Sequence, residues 1–325
     1  MEFDDWICDI SFRNDEVKQT GVSLFERQLI AVRQSHRPGI SLLELLVVIV
    51  IVGVLIGLLL SAVQHVRAMS VQIQCQNNLK QIGLALHGYQ ASGHLFPPGV
   101  SKQAEQGAYP FMSWNTRILP FLEQESLWRD AVKAYEKDKN FLNNPPHSNR
   151  GLVVKAFVCP SDPRSLESKQ MAGSGLSAFT SYLGVEGTNQ FEEDGMLFLD
   201  SAVRMEDVTD GTSNTLLVGE RPPSADGNFG WWYAGWGQSK DGSAEMVLGV
   251  HELYTYWAPG CSSGPYNFGP GNLTNQCDAF HFWSTHSDGG HFLFVDGSVH
   301  FIRYGSGSIL DSLATRAGGE FIHPW

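Results

Sequence analysis

The sequence is poor in charge, and what it carries is unevenly signed. Only 17% of its 325 residues are Asp, Glu, Lys or Arg, and 34 acids against 22 bases give a formal charge of −12. No run of Lys and Arg occurs, which argues against nucleic acid as a partner, because phosphate binding needs concentrated positive charge. No Cys-x-x-Cys occurs, so a zinc ribbon or thioredoxin-like motif is unsupported. H-E-x-x-H is missing, and no phosphate-cradling glycine loop opens a helix, so the expectation is a protein that is not an enzyme. Internal repeats and long low-complexity linkers are also missing. Proline is absent from Ile40 until Pro97, which leaves nothing in that stretch to break a helix.

What is present is a folded composition, 42% hydrophobic and 11% aromatic, with 34 glycines that suggest many turns and short strands. The length allows one large domain or two modest ones. The informative stretch is Ile40 to Val63, where Glu44 is the only charge. As a helix it spans roughly 36 Å, enough to cross a bilayer core of roughly 30 Å. A globular helix would show a polar position every turn, and none appears between Leu45 and Leu60. Arg27, Arg33 and Arg37 precede the run, which predicts a cytoplasmic N-terminus and an exported remainder. Beyond the run, Val66, Met69, Ile73, Leu79, Ile82, Leu84 and Leu86 keep broadly helical spacing. Gly88, Gly93 and Pro97-Pro98-Gly99 supply the stop.

This run is longer than a secretory signal core, and no small-x-small cleavage site follows it. Instead Gly39 stands directly before it, and Glu44 is the fifth residue after that glycine. Here the sequence resembles the prepilin-type N-terminus of type IV pilins and type II secretion pseudopilins. The resemblance implies cleavage at Gly39–Ile40 by a membrane prepilin peptidase and methylation of Ile40. Ile stands where Phe is commoner, and 39 residues make a long leader. A carboxylate near a membrane-embedded helix start is costly unless paired. The freed α-amino group of the same or a neighbouring subunit would neutralise Glu44 and set the register between subunits. The alternative is a snorkelling Glu44 with no partner. Gly53 and Gly57 form a G-x-x-x-G pair, which permits close helix contact in lipid but is common in membrane helices anyway.

The five cysteines are Cys8, Cys75, Cys159, Cys261 and Cys277. Removal of the leader leaves an even number, compatible with two disulfides in an oxidising compartment. Cys261 and Cys277 close a short Gly-, Pro- and Asn-rich loop and are the favoured pair, against the alternative of two free thiols. Cys75 with Cys159 is the less specific pairing.

After residue 99 short hydrophobic runs alternate with Gly, Pro, Asn and Ser. Residues 114–135 read as helical, broken near Pro120. Candidate strands are 152–158, 178–185, 214–220, 228–236, 246–256, 291–295 and 298–304. The last two read as a hairpin turning at Asp296-Gly297. The expected fold class is α+β, pilin-like: a long N-terminal transmembrane helix packed on an antiparallel sheet with long loops. The expected organisation is a leader over 1–39, a transmembrane and stalk helix over 40–95, and an exported head over 96–325.

Three groups in the head are candidates for chemistry. His281, His286, Asp288, His291 and Asp296 could bind a transition metal. Their spacing matches no standard ligand set, so turn and backbone roles are preferred. Asp207, Asp210, Thr212 and Asn214 offer oxygens suited to calcium. The loop is not an EF-hand, and an Asx-turn is the preferred reading. Trp231, Trp232, Tyr233 and Trp236 could form a sugar-stacking platform or a core strand. Glu192 and Glu193 read as solvated.

Several strings resemble one large prepilin-like family whose exported domain has no assigned function. They are CQNNLKQIGLALHGYQ (75–90), Trp114 with the following LPFLEQ, FVCPSDP (157–163), DVTDGTSNTLLVGE (207–220) and the terminal His286-x9-Asp296-Gly297 signature. They cover nearly all of the mature chain in the family's order. The resemblance implies a pseudopilin-like subunit of a type IV pilus or type II secretion-like assembly. It would sit in the cytoplasmic (inner) membrane with its head periplasmic or at the cell surface. Its partners would be prepilin peptidase and like subunits. The alternative is a membrane-tethered binding module for polysaccharide or another ligand; a metal-dependent hydrolase is the remotest reading.

Overall fold

An apolar run without proline folds as one helix, α1 (Leu42–Gly93). The computed structural model describes residues 39, 41–102, 107–171, 175–254 and 260–320. The leader before Gly39, with Arg27, Arg33, Arg37 and Cys8, and Ile40 itself lie outside the described residues. The chain divides into two units, one ending at Gly57 and one beginning at Leu58.

In the first unit α1 begins with a reciprocal cap. The Ser41 amide donates to Glu44 Oε2 at 2.9 Å, and the Glu44 amide donates to Ser41 Oγ at 3.2 Å. Two of the orphan donors of a helix start are thereby satisfied. Every α1 residue from Leu42 to Ser70 is exposed. By length and composition α1 can cross a membrane.

In the second unit the same helix becomes amphipathic. Cys75, Asn78, Leu79, Ile82, Gly83, Ala85 and Leu86 are buried, at the spacing of one helical face. Leu84 and Ile73, which the sequence suggested as part of that face, point to solvent. They fall on the far side of a 3.6-residue turn.

The buried face lies on a five-stranded sheet. Its strands are β3 (Tyr182–Gly187), β4 (Leu216–Glu220), β5 (Val247–Gly249), β8 (Gly289–Phe294) and β9 (Val299–Arg303). Two short ribbons, β1 (Lys169–Met171) with β2 (Gly175–Ser177) and β6 (His251–Glu252) with β7 (Tyr266–Asn267), complete the strands. The sheet order is β5-β3-β4-β8-β9. It is mixed rather than purely antiparallel, because β5 runs parallel to β3. The connection from Gly187 to Val247 is long enough for the crossover that a parallel pair requires.

Both faces of the sheet are covered. Tyr182, Leu217 and Leu293 join α1 in one core, while Leu183, Leu216, Phe292 and Phe294 join another. Leu310 and Leu313 of α4 (Ser308–Ala314) close that second core. Neighbouring strand residues thus go to opposite cores, as the two-residue period demands, except Leu217 and Val218, which share the first core where the β4–β8 register shifts. It also explains the weak alternation of the sequence there: a strand buried on both faces has no polar side. Each fully buried Leu or Ile of α1 contributes about 1.5–3 kcal/mol.

Two expected strands do not form. Residues 152–158 instead contain a 3-10 turn, Lys155–Phe157, with Val154, Phe157 and Val158 buried and Leu152 exposed. Residues 228–236 make only isolated bridges, Phe179 with Trp231 and Met112 with Ala234. Gly230, at φ 101°, bends that segment out of strand geometry, and Gly237, at φ 68°, turns the chain just after it. The 114–135 region forms α2 (Trp114–Arg117), a 3-10 turn at Leu119–Leu122 and α3 (Glu125–Lys137), interrupted where Pro120 stands.

Candidate functional site

The strongest concentration of chemistry lies where four distant segments meet beside the end of β4. Cys75 comes from α1 and Cys159 from the FVCPSDP loop, and the two are joined in a disulfide. Glu220 is the last residue of β4, and His286 stands in the loop before β8. The pairing of Gly219 with Phe292 brings the next residue, Glu220, to His291. The His291 amide donates to Glu220 Oε2 at 2.7 Å, and His291 Nδ1 lies 3.2 Å from the same oxygen. His286 Nε2 stands 3.5 Å from Glu220 Oε1 and 3.7 Å from Cys159 Sγ.

The backbone around these side chains is held. The His286 amide donates to Ser284 Oγ at 3.0 Å, and Tyr304 Oη donates to the Ser284 carbonyl at 3.0 Å. The Cys159 amide donates to Ser181 Oγ, and Ser161 Oγ lies 2.9 Å from Cys159 Sγ. Tyr182 Oη donates to the Cys75 carbonyl at 3.3 Å. Burial by itself would raise the Glu220 carboxyl, yet the two histidines beside it pull it down to about 2. Even so, Glu220 Oε1 is buried and makes no hydrogen bond, because 3.5 Å to His286 is beyond good geometry. A cleft of about 680 Å³ leads to this point, lined by Ser161, Asn272, Trp283, Thr285, His286 and Tyr304 among others.

The sequence candidates divide around this site. His286 and His291 come together on Glu220. His281 instead pairs with Asp278 at 3.2 Å, and Asp296 Oδ1 accepts from the Ser298 amide at 2.7 Å in the hairpin turn. Asp288 offers its carbonyl to the Tyr304 amide. Gly297, at φ 83°, makes the turn, and its carbonyl accepts from Lys80 Nζ at 2.9 Å. Glu220 was overlooked by sequence reasoning, although an acid ending the apolar string TLLVGE was the available signal.

The oxygens of the other loop are engaged elsewhere. Asp207 Oδ2 caps the Arg204 amide at 2.8 Å, and Asp210 accepts from the Gly318 and Gly319 amides at 2.7 and 3.0 Å. Asn214 Nδ2 donates to the Asp210 carbonyl at 3.1 Å. Trp232 and Tyr233 are core residues, with Trp232 Nε1 donating to the Leu152 carbonyl, while Trp236 is 46% exposed. These aromatics therefore share no exposed platform. Cys261 and Cys277 are joined in the second disulfide. The string Gly260-Cys261-Ser262-Ser263-Gly264 has G-x-S-x-G spacing but leads into strand β7, not into the helix of a nucleophile elbow.

A second acidic group lies within the head. Glu186 of β3 and Glu252 of β6 are both buried, and desolvation together with their mutual repulsion raises the Glu186 carboxyl well above its ordinary 4.5. Glu252 accepts from Ser243 Oγ at 3.0 Å and the Gly249 amide at 2.9 Å. Glu186 Oε1 makes no hydrogen bond, and Glu186 and Asp241 line a void of about 10 Å³, room for about one water.

Among known families, the one described as "Protein of unknown function (DUF1559)" matches residues 64–305. The chain belongs to that family. No curated protein and no solved structure matches it. The family span contains Cys75, Cys159, Glu220 and His286, so the meeting point of the four segments lies wholly within the family domain. The apolar part of α1 lies ahead of it.

Proposed function

We propose that this chain is a pseudopilin-like structural subunit, anchored in the cytoplasmic membrane by α1 and carrying the family domain outside it. One observation carries the reading: a helix exposed from Leu42 to Ser70, apolar from Leu45 to Leu60, with Glu44 its single early charge and Gly39 before it. An apolar surface of that extent does not persist in water. Lipid, or the same helix of other subunits, would cover it. Cleavage after Gly39 by prepilin peptidase would free the Ile40 amine, one residue ahead of the Ser41–Glu44 cap in sequence, where it could neutralise the carboxylate. The two disulfides support an exported head, since such bonds persist in oxidising compartments. The role is assembly, and it needs no turnover. A Gly39→Leu substitution tests it: the variant should stay at its unprocessed mass in cells that shorten the wild-type chain. Equal shortening of both would count against processing at this site.

The cleft beside His286 favours a second reading, a membrane-tethered binding module. Tyr304 offers an apolar face, and Ser161, Thr285 and Asn272 offer polar groups, a mixture suited to a sugar ring. Such a module would retain its ligand with Glu44 replaced by Leu, whereas assembly through α1 would fail.

A further inference from the structure

We propose that Cys75, Cys159, Glu220 and His286 bind one zinc-like divalent cation whenever the two cysteines are thiols. The metal and the disulfide are then alternative occupants of one position. The ligand atoms of these four residues all lie within 4.8 Å of one another, and no other such group occurs among the described residues.

The donor types fit. Two thiolates, one imidazole and one carboxylate are all zinc ligands, and the pair of soft sulfurs disfavours calcium or magnesium. The distances fit as well. Ligands on a tetrahedral ion with bonds of about 2.0–2.3 Å stand roughly 3.3–3.8 Å apart. His286 Nε2 is 3.7 Å from Cys159 Sγ and 3.5 Å from Glu220 Oε1, so those two edges are already of tetrahedral length. Opening the S–S bond moves the sulfurs apart to non-bonded contact, and the remaining ligand atoms already lie within 4.8 Å of one another.

The surroundings are those of a ligand shell. Both His291 contacts go to Glu220 Oε2, which leaves the buried Oε1 to His286 alone, 3.5 Å away and without a hydrogen bond. Ser161 Oγ stands 2.9 Å from Cys159 Sγ, where it can donate to a thiolate. The loop that carries His286 is held at its backbone, by Ser284 Oγ on the His286 amide and by Tyr304 on the Ser284 carbonyl. The cleft lined by Ser161, Thr285 and His286 gives an ion a way in from solvent. Outer contacts of this kind orient ligands and tune affinity. A plain disulfide beside a histidine–glutamate pair leaves Oε1 without a hydrogen bond, its neighbour His286 Nε2 standing off at 3.5 Å.

The chemistry balances with a dithiol as reductant. Two electrons enter the Cys75–Cys159 bond, two protons complete the thiols, and the reductant closes to its own disulfide. Metal binding then releases both thiol protons to solvent, and the site carries two thiolates, one carboxylate and a neutral imidazole around the cation.

The test uses the full chain in detergent with Cys8→Ser, Cys261→Ser and Cys277→Ser, so that one cysteine pair remains. It is reduced with dithiothreitol, desalted without oxygen and titrated with Co²⁺ as a spectroscopic probe, then with Zn²⁺. The expected result is one Co²⁺ per chain, with tetrahedral visible bands and a thiolate charge-transfer band that Zn²⁺ abolishes. The oxidised chain should show neither. His286→Gln should weaken binding by at least about tenfold, and His291→Gln by about 10–100-fold through its hold on Glu220. If the reduced chain loses its fold, metal is supplied during reduction, and circular dichroism should show the fold retained. Binding unchanged by His286→Gln, or no binding under either protocol, overturns the proposal.

Discussion

Gly83 of α1 lies so close to Leu293 of β8 that a Cβ at Gly83 would stand 2.9 Å from Leu293 Cδ1. The stalk half of the helix can approach the sheet here because one of the two residues has no side chain. Gly83→Ala should stay within about 1 kcal/mol of wild type, since better helix propensity offsets the contact with a flexible Leu end. Gly83→Leu should cost about 1–3 kcal/mol by overpacking a fully buried site. Thermal denaturation of the two variants checks this; a neutral Gly83→Leu would mean that the helix does not dock as described.

Acid should release the Glu220 cluster. The carboxyl is held at about 2 in the fold against an ordinary 4.5, so its stabilisation is complete above 4.5 and is lost as pH falls towards 2. Glu220→Gln should flatten the stability profile in that window while lowering stability at neutral pH. An unchanged slope between pH 4.5 and 2 would show that the histidines do not hold this carboxylate.

The Glu186–Glu252 pair acts with the opposite sign. Glu186 is raised above 4.5, so its favourable contribution is present below that value and is lost as pH rises. Glu186→Gln removes the ionisation and keeps the shape. It should stabilise the protein at neutral and alkaline pH by on the order of 1–3 kcal/mol, with little effect at pH 4. Denaturation midpoints at the two pH values decide it, and destabilisation at pH 8 would contradict it.

How much of this was legible beforehand differs by element. The limits of α1 were readable because the stretch has no proline before Pro97 and ends in Gly88, Gly93 and Pro97-Pro98-Gly99, and the terminal hairpin because Asp296-Gly297 marks its turn. The Glu220 cluster was not, because Glu220 and His291 become neighbours only through the β4–β8 pairing. His286 reaches them from a loop that carries no periodicity of its own. The string LVVKAFV misled for a related reason: Val154, Phe157 and Val158 are buried. Burial makes a run apolar whether or not a strand edge lies beside it. The parallel edge strand β5 was hidden likewise, since no local pattern states which way a three-residue strand runs.

The two disulfides should differ in weight. Cys75 and Cys159 are 84 residues apart, Cys261 and Cys277 only 16. Loop-closure entropy gives about 4–5 kcal/mol for the first and about 3 kcal/mol for the second. Cys159→Ser should therefore lower the midpoint of oxidised protein more than Cys277→Ser. The reverse order in chemical denaturation would assign the larger constraint to the short loop.

The measurement that bears most directly on the anchoring account is the mature N-terminus, read by mass spectrometry from cells with and without prepilin peptidase. The account predicts a chain beginning at methylated Ile40 only where the peptidase is present. An intact leader in both, or cleavage beyond the apolar run, would contradict it.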